Sequence, residues 1–376
     1  MTAMVGAMLA GDPSVDLTRT WVYAGNERMA MGGAGLGFAT GAPGLEFSPA
    51  ALAWRRAEQT GPVVVTGTAG FGGIGGVKGE DLGDQGGGAW RASLLGLDTP
   101  NPILRGIGAG TVGAGLLYHR LGVGVLGTGM AIRDLGGPGV VETANAVGAV
   151  ALTLGDRAAV GVGAVVQATR IFDGTAESRG LGVGAEAGFL MRIPDTGVNL
   201  GLTARTPTTD GNPSGSLGVD KMVVPAGGSV GVSWASNAMP TPPSRRPLRV
   251  ALGLVVDGPV QDAVSAESLA QGAPVAHGAR WSFGPRLGAS FEVWPQHLRV
   301  LGGSYLEPSR VTGTPDRVHG TGGLELGMLP IHVLGLYLPL SLRCGFDLAP
   351  RFQSLHWIGI DIWHTGVVGG PVGTPD

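Results

Sequence analysis

At 376 residues the chain is long enough for two ordinary domains or for one large β architecture. With 71 glycines, 14% charged residues and a mean hydropathy of +0.24 it is too apolar for a disordered chain, and it lacks the G-X-Y period of collagen. A net charge of -3 gives no reason to expect a nucleic-acid surface, and one cysteine, Cys344, excludes an internal disulfide and a cysteine-based metal site.

Residues 1–10 are apolar but short and carry no basic leader, so residues 1–20 read as an N-terminal segment and a signal-peptide remnant. No stretch supplies the ~20 consecutive apolar residues of a transmembrane helix; the most apolar region, 144–166, is interrupted by Asp156 and Arg157. Residues 26–56 are unlike anything that follows. Gly32, Gly33, Gly35, Gly37, Gly41 and Gly44 break helical and strand patterning, and Pro43 and Pro49 add fixed bends. Yet Met29, Met31, Leu36, Phe38, Leu45, Phe47 and Leu52 call for burial. An apolar segment with irregular backbone needs a container, so residues 21–60 are expected to plug a barrel.

The container is read from residues 61–364, followed by a polar, glycine-rich tail, 365–376. Strand segments are expected at 62–71, 107–118, 121–132, 140–154, 157–171, 181–192, 198–205, 229–235, 248–256, 279–293, 298–305, 319–328, 331–346 and 355–364, which makes fourteen. Many alternate strictly. Leu248, Val250, Leu252 and Leu254 alternate with Arg249, Ala251 and Gly253. Leu334, Leu336, Leu338, Leu340 and Leu342 alternate with Gly335, Tyr337, Pro339, Ser341 and Arg343. Successive side chains on a strand point to opposite faces, so each segment has one greasy face and one polar or glycine face.

A soluble β-sandwich would share that period. Three features favour a transmembrane antiparallel barrel instead. The segments often reach the ~10 residues that a tilted strand needs to cross a bilayer. Short joints at 119–120, 155–156, 194–197, 240–247 and 294–297 alternate with longer loops such as 206–224 and 257–277. Tyr118, Trp234, Trp281, Trp294, Trp357 and Trp363 lie near strand ends, as in an interface girdle.

The run Arg28-Met29-Ala30-Met31-Gly32-Gly33-Ala34-Gly35, followed by Phe47-Ser48-Pro49-Ala50-Ala51-Leu52-Ala53, resembles the N-terminal hatch of FadL-like outer-membrane transporters. Ser48 stands where that family usually has asparagine. The resemblance implies a fourteen-stranded barrel with a hatch in its lumen and no enzymatic activity. It implies an outer-membrane channel or transporter for hydrophobic small molecules, such as long-chain fatty acids or hydrocarbons. It makes Arg28, Gly32, Gly33, Ala34, Ser48, Pro49 and Ala50 candidate plug and gating residues. Outer-membrane lipid and the outer-membrane assembly machinery are the implied partners, with no nucleic acid. A non-transporting barrel of the same family, serving as an assembly or secretion partner, is the alternative.

The histidines are scattered without metal-ligand spacing, and no G-x-S-x-G elbow occurs, so neither a metal nor a cofactor is expected. Arg192, Arg205, Arg249, Arg280, Arg286, Arg299 and Arg343 should mostly project inward. They would pair with Glu186, Glu292, Asp361 and plug backbone, or meet a ligand carboxylate. Arg205, Arg249, Arg286, Arg343 and Tyr337 are the candidate lumen residues. Pro285 and Pro339 interrupt alternating segments. Proline donates no ladder hydrogen bond, so either could mark a lateral opening in the wall.

Overall fold

The computed structural model describes residues 12–18, 30–55, 62–75, 106–133, 138–236, 248–327 and 331–365, apart from 271, 273, 295–296, 312–314, 334–335, 339 and 350–351. Fourteen long strands form one antiparallel wall. They are β1 (Val63–Gly75), β2 (Gly106–Tyr118), β3 (Leu121–Arg133), β4 (Val140–Leu154), β5 (Ala158–Phe172), β6 (Glu177–Arg192) and β7 (Val198–Arg205). The second half is β8 (Gly227–Ala235), β9 (Leu248–Asp257), β10 (Ser282–Trp294), β11 (Leu298–Glu307), β12 (Arg317–Gly327), β13 (Leu340–Ala349) and β14 (Phe352–Thr365). Each pairs with its sequence neighbour, and β14 returns to β1 with Thr365 opposite Val64 and Leu355 opposite Ile74. The wall is therefore closed, which removes every unpaired edge. No helix among the described residues is long and apolar enough to cross a membrane.

Alternation decides which face is which. On β5, Val160, Val162, Ala164, Val166 and Ala168 point out and are exposed, whereas Ala159, Gly161, Gln167, Thr169 and Ile171 point in and are buried or half-buried. The apolar outer run ends at Arg170, which pairs with Glu142 and Glu177 on the neighbouring strands. From Ala158 to Ala168 is about ten residue steps of ~3.3 Å, or roughly 25 Å once a tilt near 40° is allowed for. That is the height of the lipid-facing band of a membrane barrel. Outward Phe71, Val112, Leu181 and Val183 are each more than 60% exposed, a surface suited to the hydrocarbon of a bilayer. Tyr118, Trp234, Trp281 and Trp294 are exposed near strand ends; the side chains of Trp357 and Trp363 lie outside the described residues.

One end of the barrel, where β1 begins and β14 finishes, carries the tight turns 119–120, 155–157 and 193–197. Gly155 adopts φ +61°, the left-handed conformation that such a turn requires. The other end carries the loops 206–226, 258–281 and 308–316. The joint expected at 240–247 lies outside the described residues; β8 ends at Ala235 and β9 begins at Leu248. Two expectations need correction. The segment 331–346 is not one strand: Ile331–Val333 and Leu336–Leu338 pair with each other as a separate hairpin, and β13 meets β12 only from Ser341 opposite Gly327. Period-two alternation cannot distinguish a hairpin arm from a wall strand. Finally, β10 starts at Ser282, which leaves Arg280 and Trp281 in the preceding loop.

Candidate functional site

Residues 30–55 run across the inner face of the wall. Three short helical turns, Leu36–Phe38, Gly41–Gly44 and Pro49–Ala53, are joined by irregular backbone, and most of the segment is buried. Gly32 and Gly33 have φ of +61° and +76°, which explains the glycine pair locally. Ser48 Oγ accepts a hydrogen bond of 3.2 Å from the Ala50 amide and so caps the turn that Pro49 begins. Serine meets the local geometric need at this position.

The wall bonds the segment from several sides. Thr66 Oγ1 accepts from the Ala42 amide at 2.8 Å. Thr153 and Thr203 hydroxyls donate to the carbonyls of Ala53 and Phe47, each at 2.8 Å. Thr321 donates to the Ala30 carbonyl at 3.1 Å, and Arg286 Nη1 to the Gly32 carbonyl at 3.4 Å. Arg192 Nη2 donates to the Arg55 carbonyl at 3.2 Å and its guanidinium lies 5.0 Å from the Trp54 ring. Between these bonds the contact is close and apolar. A Cβ built on Gly288 would stand 2.5 Å from the Met31 carbonyl oxygen, and one on Gly122 would stand 2.6 Å from that of Leu52. Inward glycines let the two backbones approach.

The candidate lumen arginines already have partners. Arg205 forms an ion pair with Asp257 across β7 and β9. Arg343, which is 1% exposed, shares Glu325 with Arg299 at 3.2 and 2.9 Å. Arg249 lies 5.5 Å from the Phe38 ring, and Arg286 lies 5.1 Å from that of Tyr305. Arg28, Pro339 and the side chain of Tyr337 lie outside the described residues; the backbone of Tyr337 belongs to the separate hairpin. Pro285 faces outward and pairs with Leu254 of β9, but the pairing of β10 with β11 begins only at Arg286 opposite Tyr305.

Sequence reasoning missed a buried polar chain on β11 to β13. Tyr305 donates to Asp347 at 2.6 Å, and the two nitrogens of His319 face Asp347 at 2.8 Å and Glu307 at 2.9 Å. Arg317 donates to Glu307 at 2.6 Å, and the Tyr305 and His319 rings stack at 4.2 Å. The signal was available: Tyr305 and Glu307 sit at inward positions directly opposite His319 and Arg317.

A closed transmembrane barrel of fourteen antiparallel strands, occupied by a segment from its own N-terminal region, is the class defined by this architecture. Solved structures share the fold over almost their full length. A Pseudomonas aeruginosa FadL homologue matches with TM-score 0.58 and 11% identity, covering 92% of this chain and 99% of its own. The CymD monoaromatic hydrocarbon channel matches with TM-score 0.57 and 13% identity over 92% and 98% of the two chains. The Pseudomonas putida toluene transporter TodX matches with TM-score 0.52 and 13% identity over 94% and 99%. No protein-family model and no curated protein matches the sequence. The fold is thus that of FadL-like channels, at an identity that speaks for fold alone.

Proposed function

We propose that this barrel resides in a bacterial outer membrane and passes hydrophobic small molecules, with residues 30–55 acting as a movable plug. The carrying observation is that these residues hydrogen-bond to the inner faces of β1, β4, β7 and β12. Any solute crossing the barrel must displace that segment or pass around it. The turn end, with both ends of the wall, would face the periplasm, and the loop end the exterior.

The cargo favoured is neutral rather than a fatty acid. A carboxylate would need a cation, yet Arg205 and Arg343 are engaged by Asp257 and Glu325. A desolvated charge that is already paired has little to gain from a second anion. Monoaromatic hydrocarbons, the class named for CymD and represented by the toluene named for TodX, fit this better. Pro285 is the proposed exit into the membrane, because the β10–β11 ladder stops beside it.

Deletion of residues 26–56 tests the reading. The barrel should still insert and shift on heating in a gel, and it should leak small polar solutes in a liposome-swelling assay. Toluene uptake by cells carrying the intact protein should exceed that of cells without it, and Pro285→Val should slow it. Unchanged permeability after deletion would sink the plug. Equal uptake with and without the protein would sink the transport reading.

A further inference from the structure

A second piece of the N-terminal region sits among the loops at the other end of the barrel. Ser14–Asp16 is a strand lying parallel to Lys221–Val224 on one side and parallel to Ala263–Ser265 on the other. Val15 sits opposite both Met222 and Val264. Lys221–Val224 pairs further with Thr208–Asp210, and Ala263–Ser265 with Ala276–His277. Among the described residues the two loop ladders do not pair with each other; the three-residue strand joins them. The joint is extended by Leu17, whose amide donates to the Val223 carbonyl at 2.8 Å, and by Asp220, whose amide donates to that of Pro13 at 3.1 Å.

Asp16 anchors the strand. Its carboxylate is fully buried and receives Arg310 Nε at 2.7 Å, His277 Nδ1 at 2.9 Å, and the Thr18 amide and hydroxyl at 2.9 and 2.6 Å. Arg310 also donates to the carbonyls of Gly258 and Gly278 at 3.0 and 3.3 Å and to Ser282 Oγ at 3.2 Å. One guanidinium therefore ties loop 308–316, loop 258–281, the start of β10 and the N-terminal strand. Gly278, at φ +82°, comes so close to the Asp16 carboxylate that a Cβ has no room. Beneath this hub, Val15 and Leu17 pack with Val264 and Leu269 against Ile132, Val141 and Ile171 of the wall.

We propose that residues 12–18 are a latch, which holds loops 206–226 and 258–281 together as a single outer lid. The lid opens as a unit, and only when the strand leaves its slot between Lys221–Val224 and Ala263–Ser265. The same chain continues into the plug, so the barrel has two closures in series that one segment connects. The latch stands on its own geometry; its consequence for cargo rests on the transport reading above.

The test is hydrogen exchange, followed by mass spectrometry, on the full-length protein in detergent. Asp16→Ala removes a carboxylate that pairs with Arg310 and hydrogen-bonds His277, and charged hydrogen bonds of this kind correspond to roughly tenfold or more in an opening equilibrium. Amides of 12–18, 208–210, 221–224 and 263–265 should exchange at least about tenfold faster and together, while residues 36–54 and β4 keep their protection. Unchanged protection of the loops, or loops that loosen one without the other, would overturn the latch. A second variant guards against misfolding of the first: Val15→Cys with Val264→Cys, in a Cys344→Ser background. When oxidised it should block toluene uptake by intact cells, and reductant should restore it. Uptake by the oxidised form at the reduced rate would show that the lid is not a gate. If no variant, nor the parent, takes up toluene, the transport reading fails, and the exchange data still decide the latch.

Discussion

Leu52 is one of the side chains that seat residues 30–55 against the wall. It is 2% exposed and is enclosed by inward glycines of β2 and β3: a Cβ on Gly115 would lie 3.0 Å from its Cδ2, and one on Gly124 would lie 2.6 Å from it. Leu52→Ala would leave a void that rigid strands cannot collapse into, at a cost of about 2–5 kcal/mol. The three hydrogen bonds that tie the same region, from Thr66, Thr153 and Thr203, contribute about 1 kcal/mol each. One leucine thus matters as much as all three. A loss near 3 kcal/mol raises the population of displaced plug by roughly 100-fold. Hydrogen exchange at residues 36–54 should accelerate by that order while β4 and β5 stay protected, and bursts of ion conductance should appear in planar bilayers. Gly124→Ala alone should also loosen the plug by pressing on Leu52. Combined with Leu52→Ala it has less to press on, so the double variant should lose less than the sum. Strict additivity, or melting of wall and plug together, would refute this account of the packing.

Two further outcomes are expected. Glu325→Gln leaves Arg343 and Arg299, now 1% and 13% exposed at the side chain, without their shared carboxylate; breaking a buried pair costs about 3–5 kcal/mol, seen as a lower temperature for the heat-induced gel shift. Burial alone would raise the pKa of Asp16, but the His277 hydrogen bond, the Arg310 charge and the Thr18 hydrogen bond hold it well below the usual carboxylate range. Its contribution is therefore complete above the unfolded value of about 3.9 and is lost only as pH falls through the depressed folded value. Lid amides should lose no protection as pH falls from 7 to 4.5, once intrinsic exchange rates are corrected for, and Asp16→Asn should lower protection at both.

The wall was legible because a membrane barrel makes its sequence answer to two solvents at once. Leu252, Phe283 and Leu287 face out and Arg286 and Ser290 face in, as period-two alternation requires. The same rule misled at 331–346, where leucines alternate through Pro339 although the wall resumes only at Leu340. The buried position of residues 30–55 was legible for a different reason. Hydrophobic residues set among glycines and prolines cannot be satisfied by a regular element, and only an enclosed site hides both their side chains and their irregular backbone.

Ser14–Asp16 could not have been found that way. Three residues are too few for a period, and their partners lie more than 200 positions away, at Lys221–Val224 and Ala263–Ser265. Nor does an aspartate among apolar residues announce a buried hub, since its charge is unfavourable there until Arg310 and His277 arrive from distant loops. Local patterning reports which solvent a residue faces. It carries no information about a pairing whose stabilisation comes wholly from groups remote in sequence. The two proposed closures of this barrel differ in just that respect. The inner one is held by shape against glycines and by bonds from wall threonines, so its own sequence betrays it. The outer one is held by a carboxylate at a junction of loops, and it becomes visible only when the chain is folded.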